Sequence, residues 1–140
     1  MEKICLDSGI LSLYFSQEPP VAVQDLFNKI KKKEVECYVL SPVLIEVYWN
    51  ICQTEGIEIA RISISSFIHT IPHYLVHVDE DLILSAGKLK CQHPTTLSYI
   101  DCVSIAFCIN NKCILHTTEK NIKKIPHITL QRLKVVKHTF

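Results

Sequence analysis

The sequence predicts an α/β fold of three layers: a central parallel sheet of four to five strands with helices on both faces, in one domain over residues 1–140. Three observations carry that expectation. Short apolar runs alternate with amphipathic stretches of ten or more residues, the order that right-handed strand–helix–strand crossovers require. The runs Lys3–Leu6, Cys37–Leu40 and Lys112–Leu115 have the apolar content of strands covered on both faces. With 48% apolar residues in 140, and no linker, repeat or low-complexity segment, the chain can bury one substantial core.

The elements follow in order. Lys3–Leu6 is a strand ending at Asp7, and Ser8 can cap a helix reaching Tyr14 or Phe15. Pro19-Pro20 breaks the chain, after which Ala22, Val23, Leu26, Phe27 and Ile30 recur at helical spacing up to the lysines at 29 and 31–33. Cys37–Leu40 is a strand. Ser41-Pro42 then starts a helix to about Glu55, with Val43, Leu44, Val47, Tyr48 and Ile51 inward and Gly56 as its stop. Ile57 to His69 continues as a helix closed by Pro72, and Leu75–Val78 is a weak strand. Asp79 caps a helix carrying Leu82, Ile83, Ala86 and Leu89. Ser98 to about Asn110 is the most apolar helix, and Lys112–Leu115 is a strand leading to His116-Thr117-Thr118-Glu119. A short helical turn, Pro126 and short strands near Ile128–Leu130 and Leu133–Val136 complete the chain.

Composition narrows the function classes. A formal charge of +1 neither demands nor excludes nucleic acid, because phosphate affinity depends on local clustering. The basic clusters at 29–33, at Lys120, Lys123 and Lys124, and at Arg132, Lys134 and Lys137 each read either as a solvated face or as a binding patch. Seven cysteines, with no pair at C-x-x-C spacing, read as small buried apolar residues, with one or more bridges as the alternative. His69, His73 and His77 recur every four residues, but Pro72 breaks the helix face that zinc would need. No phosphate-binding glycine loop, dinucleotide turn or G-x-S-x-G elbow is present. Apolar stretches end before the ~18 residues that span a bilayer, and an acid at position 7 interrupts any signal peptide, so the expectation is a soluble, cytoplasmic protein without membrane contact.

Four acids remain to be explained. Asp7 and Glu119 follow strands directly and therefore belong to the carboxyl-terminal edge of a parallel sheet, where ligands bind in open α/β folds. Glu46 shares an i, i+3, i+4, i+7 stripe with Val43, Val47 and Asn50, the face its helix buries. A buried acid requires a partner or a metal. Asp101 stands three residues after Ser98, the spacing of a capping box, which by itself explains the residue structurally. Taken as a set, four carboxylates in one pocket would repel unless cations neutralised them, and an all-oxygen shell suits Mg²⁺ or Mn²⁺.

The segments Ile4–Leu11, Ser41–Val47, Leu97–Val103 with Ile105-Ala106, and Ile114–Ile122 resemble, in order and spacing, the four motifs of PIN domains, across roughly residues 3 to 137. The resemblance implies a PIN-like fold and a metal-dependent endoribonuclease that hydrolyses RNA phosphodiester bonds. It implies Asp7, Glu46 and Asp101 as principal metal ligands, Glu119 as an accessory one, and Thr117 as a hydroxyl that positions an acid or a water. The family usually has Asp where this chain has Glu119, one methylene longer. Many small members are VapC-type toxins that form homodimers and pair with an antitoxin, so both partners are expected beside the RNA. Two rival readings stay open: a degenerate PIN domain that binds RNA or protein without cutting, and a receiver-like signalling domain. The latter needs an acid pair after its first strand, where Asp7 stands alone, and an acid after a middle strand, where Leu40 leads into Ser41-Pro42.

Overall fold

The computed structural model describes residues 1–118 and 133–139. Within them five strands form one sheet: β1 (Lys3–Leu6), β2 (Glu36–Leu40), β3 (Tyr74–Val76), β4 (Ile114–Thr117) and β5 (Lys134–Lys137). Their spatial order is β3-β2-β1-β4-β5 and every pairing is parallel. The chain builds outward from β1 to one side through β2 and β3, then returns to the other side with β4. Strand order therefore reverses between β1 and β4, and their carboxyl ends mark the crevice where such folds bind ligands. A receiver fold reverses elsewhere, with order 2-1-3-4-5, and this topology sets that rival aside.

Six helices cover the sheet among the described residues: α1 (Ser8–Tyr14), α2 (Val21–Lys31), α3 (Ser41–Glu55), α4 (Ile57–Thr70), α5 (Glu80–Gln92) and α6 (Tyr99–Asn111). One core runs through the layers, from Ile4, Leu6 and Val39 of the sheet to Phe27, Val47, Phe67, Leu89 and Ile105 of the helices. Gly56, at φ 90°, ends α3 and at once opens α4, a left-handed geometry that glycine adopts without strain. Among the described residues, no helix is long and apolar enough to cross a membrane.

Several boundaries differ from the sequence reading for local reasons. Asp7, not Ser8, caps α1: its backbone is extended and its Oδ1 accepts the Ile10 amide at 3.0 Å, so Ser8 is already helical. Ser41 is likewise inside α3, whose cap position is Leu40 with no side-chain hydrogen bond. The last strand residue thus sits directly against the helix, with no loop between. Lys112, in the left-handed region at φ 54°, ends α6 in place of Asn110-Asn111. Strand β3 is Tyr74–Val76, earlier than expected, and Ile83 is exposed. The expected turn and strand between residues 119 and 132 lie outside the described residues.

Cys5, Cys37, Cys102, Cys108 and Cys113 are buried, and all seven thiols are free. Burial raises the Cys37 thiol to about 12, which fits packing residues rather than nucleophiles.

Candidate active site

Asp7 occupies the first position beyond β1, where its backbone amide still donates to the His116 carbonyl of β4 at 3.1 Å. Strand pairing and helix capping together fix both carboxylate oxygens. Oδ1 takes the Ile10 amide, and Oδ2 accepts the hydroxyl of Thr117, itself 1% exposed at the end of β4. Burial pushes the Asp7 carboxyl above the usual carboxylate range. The Thr117 hydroxyl and the Ile10 and Thr118 amides pull it back, and the charge of Asp101 pushes it up again.

Glu46 arrives from the second turn of α3, the helix that starts where β2 ends, and is half-buried. Asp101 arrives from the first turn of α6, which runs back toward the amino end of β4 and so begins at the carboxyl edge of the sheet. The capping box expected from the sequence is present: the Asp101 amide donates to Ser98 Oγ at 3.1 Å, and Asp101 Oδ2 accepts the Ser98 amide at 3.2 Å. The same carboxylate that closes the helix end also faces the crevice.

Asp7, Glu46 and Asp101 line one cavity of about 490 Å³, together with Ser8, Thr95, Ser98 and Thr118. Gly9 forms part of its wall. A Cβ at that position would collide with the Thr118 hydroxyl and stand 3.2 Å from Thr118 Cβ, so α1 meets the β4 end closely enough to require glycine there. Glu119 lies outside the described residues.

Lys90 joins these residues without any mark in the sequence. It sits in the last turn of α5, where a lysine ordinarily reads as favouring the helix dipole. In the fold its ammonium donates to the Pro94 and Leu97 carbonyls at 2.9 and 2.7 Å, and its side chain lines the acid cavity. No periodic pattern marks it, because the carbonyls it binds belong to the irregular connection between α5 and α6.

The donor set is wholly oxygen, carboxylates with neighbouring hydroxyls, and the charge of Asp101 bears on Asp7; both features fit a hard divalent cation. Among the described residues, no three His, Cys, Asp or Glu side chains stand together closely enough, as placed, to hold a metal ion. His69, His73 and His77 likewise form none; the His73 ring bonds the Ile71 carbonyl at 2.7 Å.

The sequence matches the PIN domain family over residues 4–128, and the chain belongs to that family. Its fold is similar to that of a chain in VapBC2 from Rickettsia felis, solved bound to a DNA fragment from its promoter. The TM-score is 0.74 at 16% identity, covering 97% of this chain and 98% of that one. DNA-bound VapBC from Salmonella typhimurium is similar at a TM-score of 0.71 and 15% identity, covering 98% of both chains. VapC20 of Mycobacterium tuberculosis, a sarcin–ricin loop cleaving toxin, is similar at a TM-score of 0.66 and 16% identity, over 80% of this chain and 86% of that one. No curated protein matches the chain.

Proposed function

We propose that this protein is a metal-dependent endoribonuclease, hydrolysing RNA phosphodiester bonds at its carboxylate site, and the toxin of a toxin–antitoxin pair. One observation supports the chemistry above all others: Asp7, Glu46 and Asp101, from three separate elements of a PIN domain, line a single cavity at the switch point of the sheet. In this reading those three acids hold Mg²⁺ or Mn²⁺, with Glu119 as an accessory ligand. Such a cation, when bound, offsets phosphate charge and makes water a competent nucleophile near neutral pH.

The chain's own contribution is position. Asp7 cannot rotate freely, because strand, helix end and Thr117 each hold it. Asp101 is fixed by its capping box. Pre-set carboxylates need no reorganisation when the phosphate arrives, and that saving appears in the barrier.

The solved relatives named VapBC support an antitoxin as partner. A homodimer is supported by an apolar groove of about 560 Å³ between α3 and α4, flanked by exposed Ile45, Trp49 and Ile57. We assign this face to a second copy of the chain. The deciding experiment for the activity is RNA cleavage by the purified protein with and without Mg²⁺ or Mn²⁺. Cation-dependent cutting that disappears on removal of one acid supports the enzyme; RNA binding without cutting supports the non-catalytic rival.

A further inference from the structure

We infer that Tyr99 and Lys90 form a nucleotide-holding subsite at the rim of the acid cavity: an unpaired RNA base stacks on the Tyr99 ring while its phosphate meets the Lys90 ammonium. This rests on the ribonuclease reading above. Tyr99 is the first residue of α6, two positions before Asp101, and is 74% exposed. A ring left in water at the start of the most apolar helix contributes nothing to the core.

Beneath it, Lys90 Nζ lies 4.7 Å from the ring centroid, within cation–π range. An ammonium has three donors. Two are taken by the Pro94 and Leu97 carbonyls, which hold the charge in a fixed place with one N–H left over. Among the described residues lining the cavity, Lys90 is the one cation. Three carboxylates there repel a polyanion, and Lys90 gives the phosphate a point of attachment beside them. The ammonium approaches one face of Tyr99 and leaves the rest of the exposed ring for a base. Because every base has a π face, such a platform holds single-stranded RNA of any sequence, and it rejects duplex, whose bases are already stacked.

The test is fluorescence anisotropy of labelled single-stranded oligoadenylate and oligouridylate, in EDTA and in Ca²⁺, so that binding is read apart from cleavage. Tyr99→Ala is expected to weaken binding about tenfold or more, the usual effect of losing one base–aromatic stack, while Tyr99→Trp retains it. Lys90→Met should reduce the slope of log affinity against log salt by about 0.7, the share of one phosphate contact on a single strand, and Lys90→Arg should keep it. A lysine that only tied down its loop would lower stability and leave that slope unchanged. If wild type and Tyr99→Ala bind RNA equally, the subsite is wrong and the nuclease reading stands. Wild type that binds neither RNA in either buffer overturns both. Tyr99 is exposed, so its variants decide the matter even where Lys90→Met fails to fold.

Discussion

Thr117 donates its hydroxyl to the Asp7 carboxylate from the end of the neighbouring strand, joining two residues far apart in sequence at the carboxyl edge of the sheet. The bond favours the ionised form of an acid whose burial favours the neutral one. Thr117→Val keeps the shape and removes the donor. It should cost about 1 to 3 kcal/mol at neutral pH, the penalty for under-satisfying a buried acceptor. The sign with pH follows from the raised Asp7 value. The variant's carboxyl titrates higher still, so the loss is full above the variant's folded value and shrinks as acid neutralises Asp7 in both folded proteins. Urea unfolding at neutral and acidic pH measures it; equal losses at both would mean that the hydroxyl does not act through the carboxylate.

Gly9→Ala should destabilise the protein by about 1 to 3 kcal/mol, as overpacking does, because the new methyl meets Thr118. The collision is with one hydroxyl above all. Gly9→Ala combined with Thr118→Ala should therefore recover most of the loss, a coupling that a double-mutant cycle reads directly. Additive losses would place the strain elsewhere.

How much of this was legible in the sequence depends on whether a residue's position is set locally. The alternation of apolar runs and helical stripes was sufficient for a parallel α/β sheet, since strand, helix and crossover are each short-range features. The capping box at Ser98 and Asp101 and the stop at Gly56 could be read for the same reason. Caps at strand–helix junctions could not. Asp7 and Leu40 stand where Ser8 and Ser41 were expected, because a strand residue in extended geometry takes the cap position without any loop. Lys90 shows the other limit: the two carbonyls and the ring it meets belong to the irregular connection after α5 and the start of α6, and that connection carries no periodic pattern to read. Asp7, Glu46 and Asp101 could be grouped in the sequence only as a set: Asp101 alone reads as a helix cap and Asp7 as a strand-end acid, and Glu46 alone stood out, on the face its helix buries.

His116, 7% exposed on β4, faces His138 with Nδ1 and Nε2 3.0 Å apart, so one ring must donate and the other accept. Burial first, then the His138 ring and Lys29, lower His116 from 6.5 to about 4. Its folded value lies below its unfolded one, so the unfolded chain gains the proton first as pH falls. The stability involved is present above about 6.5 and is lost as pH drops towards 4, by at most about 3 kcal/mol. His116→Gln should flatten that part of the profile. Identical slopes for variant and wild type across this window, in parallel denaturation series, would rule the pair out as the acid-sensitive element.

Self-association through α3 and α4 predicts that charge on that face produces monomer. Ile45 and Trp49 are 72% and 58% exposed in the single chain, positions where a charge costs the monomer little. Ile45→Glu should leave the melting temperature of the isolated chain nearly unchanged and shift sedimentation from dimer to monomer. Wild type sedimenting only as monomer at micromolar concentration would remove the assignment of this face to a second copy.

Asp101 gives opposite answers to one substitution according to its role. Asparagine retains an oxygen for the Ser98 amide, so Asp101→Asn should cost at most about 1 kcal/mol as a helix cap. Removing its charge also relieves Asp7, whose carboxyl the Asp101 charge pushes upward. That relief works in the opposite direction, and the metal-free variant is expected to be as stable as wild type or slightly more so. Cleavage, by contrast, should collapse, because one of the three acids proposed to hold the cation has lost its charge. Stability and Mg²⁺- or Mn²⁺-dependent RNA cleavage should therefore be measured side by side on the same preparations. A folded Asp101→Asn protein that cuts RNA at the wild-type rate would leave Asp101 as a helix cap and nothing more.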